Sequence, residues 1–281
     1  MIKVQYKRGI VRMMDIYGSV NKDKGDRVDI VISSNVIFPK IASSLPFPKG
    51  GFLHSYGQTL VIDLDRPEEE IFTDIHKNAR YKINRASKRD PIQYYELISP
   101  KEDEIRKFLA FFDRFAKYKN LPKGNFGRLK GLSDQDSLII SYVTDESGNV
   151  LCYHAYVKAD TYCSLLYSAS ARFDNKQIRN LIGRANRYLH WQDMKSFRKL
   201  GIKWFDFGGL FVHTDASDED SINRFKMEFG GQVVDVDKRI YPLTIIGKMT
   251  TFVFWLKMRK RPEFLRAKRF EHKKIHLTNN A

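Results

Sequence analysis

The sequence predicts a mixed α/β (α+β) fold in which an antiparallel meander feeds one long helix and then a further strand. Three observations carry this. The hydrophobic period is two across residues 138–170, it changes to helical spacing over 176–200, and a buried-looking strand at Trp204 runs into Gly208-Gly209.

Residues 1–68 read as short strands and turns. Asp29 to Ser33 is β-branched and apolar, Leu60 to Leu64 has the same character, and Pro39, Pro46, Pro48 and Gly50-Gly51 punctuate the space between. Asp65-Arg66-Pro67-Glu68 then predicts a helix start, with Asp65 capping, Pro67 in the first turn and Glu68 three positions after the cap. Phe72, Ile75, Ala79, Ile83 and Ala86 recur at helical spacing, while His76, Lys77, Arg80, Lys82, Arg85, Lys88 and Arg89 make the rest of that helix basic. A second helix opens at Ser99-Pro100-Lys101-Glu102 and carries Ile105, Phe108, Leu109, Phe112 and Phe115 on one stripe.

The meander is expected as Leu138–Thr144, Val150–Val157 and Thr161–Ala169, with turns at Glu146 to Asn149 and Lys158 to Asp160. The long helix from about Lys176 to Leu200 points Ile178, Leu181, Ile182, Ala185 and Leu189 inward and stops at Gly201. After the Trp204 strand come a helix from about Asp218 to Phe229, with Ser217 as its cap and Asp220 in its acidic first turn, and strands Val233–Val236 and Arg239–Leu243.

The composition is globular, with 42% hydrophobic residues, and the formal charge of +16 over 281 residues is its outlier. Such a field favours polyanions: RNA, nucleotide-linked substrates or an acidic membrane surface. Cys152 and Cys163 have neither metal-ligand spacing nor a plausible pairing, so two buried thiols in a reducing cytoplasm are expected. The opening MIKVQYKRGIVRMM lacks an apolar segment of signal-peptide length, and the expected location is cytoplasmic. The apolar stretch Thr250 to Met258, interrupted by Lys257, falls short of the ~20 residues a spanning helix needs. There is no GxxxxGK[ST] phosphate loop, HExxH, CxxC or Gly-x-Ser-x-Gly elbow, and no metal is expected. His213, Asp215 and Asp218 read as a solvated loop.

Lys226 is the leading catalytic candidate. Phe225 and Phe229 beside it would fix its direction and reduce its solvation, which suits a cation aimed at the oxyanion of an acyl transfer; a surface lysine between core aromatics is the alternative. Asp206 at the strand end reads either as a base for an attacking amine or as the cap of the Gly208-Gly209 turn. Arg172, Lys176 and Arg179 surround the start of the long helix, where backbone N–H groups favour anions. Tyr142, Tyr153 and Tyr167 on the meander are candidates to orient substrate or to pack.

Trp204-Phe205-Asp206-Phe207-Gly208-Gly209-Leu210 followed by Phe225-Lys226-Met227-Glu228-Phe229-Gly230-Gly231 resembles the final βαβ segment of the Fem aminoacyltransferases and related GNAT-like acyltransferases, roughly yDfGGl…FKxxFGG. The run Lys77 to Ala86 is similar to their k-x-x-R-y-x-I-r-k-A helix, and the likeness extends over about Gly57 to Leu243. The resemblance implies a GNAT-like domain at 69–245 with splayed central strands. A β-rich partial half precedes it at 1–68, and a basic, aromatic tail follows at 246–281. It also implies an acyl or aminoacyl transferase with Phe225 and Lys226 at the transfer site and Arg80 and Arg85 among the cations for a nucleotide-linked precursor or a tRNA stem. GNAT enzymes seat the coenzyme A pyrophosphate on a Gln/Arg-x-x-Gly-x-Gly/Ala run; Gln177 to Ile182 has no glycine, and Fem enzymes lack that run too. The expected donor is therefore aminoacyl-tRNA ahead of acyl-coenzyme A, with no further cofactor. The expected acceptor is an amine on a cell-envelope precursor such as a peptidoglycan stem peptide or an amino sugar. The tail from Lys257 to Lys274, with Phe252, Phe254, Trp255 and Phe264, suits an anionic membrane surface on the inner face or docking on the domain itself. A coenzyme A-dependent N-acyltransferase and a non-catalytic RNA- or membrane-binding module remain the alternatives.

Overall fold

A computed structural model describes residues 1–17, 27–36, 53–172, 175–211 and 217–268. The chain forms two compact units. One comprises Met1–Leu60, Gly209–Asn223 and Val233–Ala281, the other Val61–Gly208 and Arg224–Gln232.

In the first unit, β1 (Ile2–Arg8) and β2 (Val11–Tyr17) form an antiparallel hairpin in register from Ile2↔Tyr17 to Arg8↔Val11. Ile2, Val4 and Tyr6 are buried at the period of two a half-buried strand requires. β3 (Ile30–Val36) runs parallel to β2 and antiparallel to β10 (Gln232–Pro242), with β4 (Leu53–Asp63) next to β10 in the strand order. The two late strands expected from the sequence are thus one. Ile30, Leu53, Ile240 and Phe264 form its core, with Trp255 and Met258 of α7 (Ile245–Met258) packed against them.

α7 is seated closely. Thr244 caps its first turn by accepting from Gly247 N and donates its hydroxyl to Asp29, whose carboxylate also accepts from the Arg12 guanidinium and backbone N–H. The Arg12 hydrogen bonds hold the Asp29 carboxyl well below the ordinary range. A Cβ on Gly247 would lie 2.0 Å from the Asp29 carbonyl oxygen, so only glycine fits there.

In the second unit the strand order is β4 (its last residues), β9 (Trp204–Leu210), β8 (Tyr162–Ser170), β7 (Val150–Lys158), β6 (Leu138–Asp145), β5 (Ile92–Ile98). The meander β6–β7–β8 is antiparallel, as expected, and pairs Cys152 with Ser170 and Cys163 with Lys158, so the two buried thiols do not face each other. α3 (Glu102–Tyr118) packs on one face, burying Ile105, Phe108, Phe112 and Ala116; α5 (Lys176–Lys199) packs on the other. Gly201, with φ of 77°, ends α5.

The helix expected to run continuously from residue 65 is two. α1 (Glu68–Asp74) and α2 (Lys77–Arg89) are separated at Ile75, which is extended, and His76 caps α2 by accepting from Asn78 N. The break has a tertiary cause: His76 N donates to the Glu228 carbonyl at 2.7 Å, which no helical residue at that position could do. Asp65 is not the cap of α1. Pro67 occupies that position and no side chain caps it. Two further elements, β5 and α4 (Phe126–Ser133), were not expected from the sequence.

Candidate active site

The site is built where β8 and β9 part. These parallel strands pair at Tyr162↔Trp204, Cys163↔Phe205 and Ser164↔Asp206, and no further, although β8 continues to Ser170 and β9 to Leu210. A register irregularity between Ala155 and Tyr156 in the β7–β8 ladder falls at the same level, because Ala155 faces Tyr167 and Tyr156 faces Leu165. These are the splayed central strands.

Asp206 fixes the backbone at the parting point. One carboxylate oxygen accepts from Gly208 N at 2.8 Å and the other from Ser164 Oγ at 2.6 Å. Gly208, at φ 71°, needs the left-handed region, and a Cβ there would press on the Leu165 carbonyl oxygen at 3.0 Å. Gly209 has no such crowding, and β9 runs on through both glycines instead of turning at them.

Lys226 reaches this point from the last turn of α6 (Ser217–Met227), donating from Nζ to the Gly208 carbonyl at 3.1 Å. Burial draws its pKa down to about 8, against the opposing pull of Asp206. Phe225 and Phe229 are 5.5 Å apart in an edge contact, and Phe229 is fully buried. Arg187 lies over the Phe225 ring at 4.8 Å and forms an ion pair with Glu228, so the last turn of α6 is fixed on both sides of Lys226. After it, Gly230 and Gly231 hold φ of 74° and 88°.

Sequence reasoning missed the support beneath these residues. His190, on the inner face of α5, packs against Phe207 at 4.7 Å, Phe229 at 5.3 Å and Phe225 at 5.6 Å. Burial, then the neighbouring His154 and Lys226, push its pKa down, so it is a neutral ring. His154 lies 4.1 Å from it, ring to ring, and contacts Asp193 through Nδ1 and Asn186 through Nε2, both at 2.9 Å. Tyr156 and Tyr94 also donate to Asp193, at 2.6 and 3.1 Å, and Glu96 accepts from Ser196 at 2.7 Å. The signal was present in the spacing, since Asp193 falls four residues after Leu189 on the inward stripe of α5. His154, His190 and Asp193 have metal-ligand chemistry, but hydrogen bonds at normal lengths already join His154 and Asp193.

The remaining expected residues lie elsewhere. Tyr142, Tyr153 and Tyr167 pack with Tyr95, Phe108, Phe111 and Phe112 on the α3 face of the meander, with centroid distances such as 4.9 Å for Tyr142–Tyr153 and 4.7 Å for Tyr167–Phe112. Arg172 stacks over Phe115 and Tyr118. At the start of α5, Asn175 Oδ1 accepts from Gln177 N and Ile178 N. The cap therefore occupies two of the N–H groups expected to receive an anion, while Lys176 and Arg179 are exposed. Arg80 donates to the Thr73 carbonyl across the α1–α2 break, and Arg85 is exposed. A cavity of about 420 Å³ lined by Ser99, Lys101, Lys130 and Asp136 contains none of these residues. His213 and Asp215, the side chain of Asp218, and the expected Ser217 cap fall outside the described residues.

No family model matches the chain, and no curated protein matches its sequence. Among solved structures, FemX is similar at a TM-score of 0.53 and 14% identity, over 70% of this chain and 63% of that one. The chain thus spans under two thirds of that protein. The C-terminal domain (DUF2156) of a putative lysylphosphatidylglycerol synthetase from Agrobacterium fabrum follows at 0.48 and 10% (72% of this chain, 66% of that one). L-PGS from Bacillus licheniformis gives 0.46 and 13% (74% and 69%). At 14% identity the likeness to FemX speaks to architecture alone. With the parted central strands, the meander and the long helix, the chain has a Fem-type, GNAT-like fold.

Proposed function

We propose that this protein transfers an acyl or aminoacyl group from an activated ester to an amine. The observation that carries the reading is the half-buried ammonium of Lys226, held by the last turn of α6 at the Gly208 carbonyl where β8 and β9 part.

In the transfer, the amine nitrogen attacks the ester carbonyl carbon and the carbonyl oxygen becomes an oxyanion. Collapse of that intermediate forms the amide, breaks the ester C–O bond and leaves the former ester oxygen to take up the proton the amine gives off. A fixed cation beside the oxyanion is worth ~3–4 kcal/mol in such a step, provided it is oriented before the reaction. The packing of Phe225, Phe229 and His190 and the Arg187–Glu228 pair meet that condition. Asp206 serves the site as a backbone clamp, since Gly208 N and Ser164 Oγ engage its two oxygens.

An aminoacyl-tRNA donor is supported by the exposed cations of α2, including Lys77, Arg85, Lys88 and Arg89, and by the overall charge of +16. A coenzyme A thioester is less well served. The α5 start has no glycine between Gln177 and Ile182 and is capped by Asn175. The acceptor class that suits a Fem-type fold is an amine on a cell-envelope precursor. Thermal shift with charged tRNA and with acyl-coenzyme A discriminates the donors. Protection by charged tRNA, weakened by raising salt, is the expected result, and protection by acyl-coenzyme A alone would overturn the donor assignment.

A further inference from the structure

We propose that α7 is a membrane-docking element that seats the protein on an anionic bilayer surface. The inference is independent of the transfer reading, because it rests on α7 and its surroundings in the first unit.

A surface helix buries one apolar stripe and turns a polar one to water. α7 does not. Gly247, Thr251, Trp255 and Met258 face the core, with Gly247 against Asp29. At about 100° per residue, Ile245, Ile246, Met249, Phe252, Val253 and Leu256 fall on the opposite side. All six are exposed, Ile245 to 77% and Met249 to 66%. The helix is therefore apolar on its seated face and again on its outward face.

Its fourteen residues extend only ~21 Å, against the ~30 Å hydrocarbon core of a bilayer. No helix among the described residues is long and apolar enough to cross a membrane. α7 thus fits lying in the interface plane with its outer side chains inserted.

Charge decides between a lipid surface and a second copy. On α7, exposed Lys248 and Lys257 flank the apolar face on either side, and exposed Arg259, Lys260 and Arg261 follow its C-terminal end. Pairing two such faces would bring two cationic rims together, whereas an anionic leaflet complements both the rim and the apolar stripe. Long lysine and arginine stems reach from an inserted helix to the headgroups without burying their charge.

Co-sedimentation with vesicles of phosphatidylcholine alone and of phosphatidylcholine containing roughly a third phosphatidylglycerol tests this. Wild type is expected to partition at least tenfold more strongly onto the anionic vesicles, and Met249→Ser/Phe252→Ser to lose at least tenfold of that partitioning with an unchanged melting temperature. In unmodified protein, brominated lipid is expected to quench the share of tryptophan emission that comes from Trp255, half-buried and stacked at 5.8 Å on the inserted Phe252 ring, which keeps the test decisive if the double variant misfolds. Absence of binding to anionic vesicles, undiminished binding by a folded double variant, or a wild-type dimer that the same substitutions convert to monomer would each overturn the proposal.

Discussion

Lys226 Nζ lies 3.1 Å from the carbonyl oxygen of Gly208, two residues past Asp206, where β9 makes its last pair with β8. A lysine folded against a carbonyl has a partner that stabilises its ammonium only partly. Burial outweighs that stabilisation and Asp206, which leaves the pKa at about 8. The group is charged at neutral pH but desolvated, the state in which an ammonium interacts most strongly with a developing oxyanion.

The first prediction concerns pH. Deprotonation of Lys226 near pH 8 removes the positive charge, so the transfer rate at saturating substrate is expected to fall above about pH 8. Lys226→Arg, which stays protonated, is expected to lose this alkaline limb even where its maximal rate is lower. A pH–rate profile of the two proteins reads the difference directly, and a shared alkaline limb would assign it to another group.

The second concerns stability, and its sign follows from the lowered pKa. Between about 8 and 10.5 the unfolded state binds the proton that the folded state has released, so stability rises with pH in that window. At pH 7 the folded protein must keep the charge buried. Lys226→Met is therefore expected to raise stability at pH 7 by about 1–3 kcal/mol and to lose that advantage toward pH 10.5. Urea midpoints at the two pH values measure it.

A third prediction tests the backbone after α6. Gly231 has φ of 88°, and a Cβ there would lie 2.5 Å from the Val61 carbonyl oxygen. Gly231→Ala is expected to cost about 2–3 kcal/mol, combining left-handed strain with a backbone clash. Gly209→Ala, where the nearest atom is 3.9 Å away, is expected to fold with near-normal stability. Equal losses in the two variants would show that this crowding does not matter.

The buried polar network supplies the fourth. Asp193 is fully buried, close to His154 Nδ1 and accepting from the Tyr94 and Tyr156 hydroxyls. Asp193→Ala would remove the buried carboxylate these groups share, leaving Tyr94 with Glu96 Oε1 and Tyr156 with His154 Nδ1 alone, and is expected to cost about 3–5 kcal/mol. Chemical denaturation measures it, and a loss below 1 kcal/mol would show that the network is not structural.

The meander and α5 were legible in the sequence because their residues obey one period each. The expected bounds of β6, β7 and α5 differ from the observed ones by a residue. Elements whose form depends on a distant partner were not. β5 reads as Ile-Gln-Tyr-Tyr-Glu-Leu-Ile, half-exposed along most of its length at the edge of the strand order, so no clean alternation marks it. The α1–α2 break exists because His76 N finds the Glu228 carbonyl, a contact between residues 152 positions apart that local propensity cannot anticipate. For the site, the Asp206-to-Gly208 and Phe225-to-Phe229 segments were identified by pattern. The placement of Tyr142 and Tyr153 with α3, and of His190 under Phe225, required the packing of two helices on opposite faces of the meander.

The most direct test is the rate of acyl transfer to an amine acceptor by wild type and Lys226→Ala, with charged tRNA as donor and melting temperature measured alongside. Transfer by wild type and a loss of at least about a hundredfold in the variant, with the fold retained, is the expected result. Near-normal transfer by a folded Lys226→Ala protein would contradict the role given to this ammonium group.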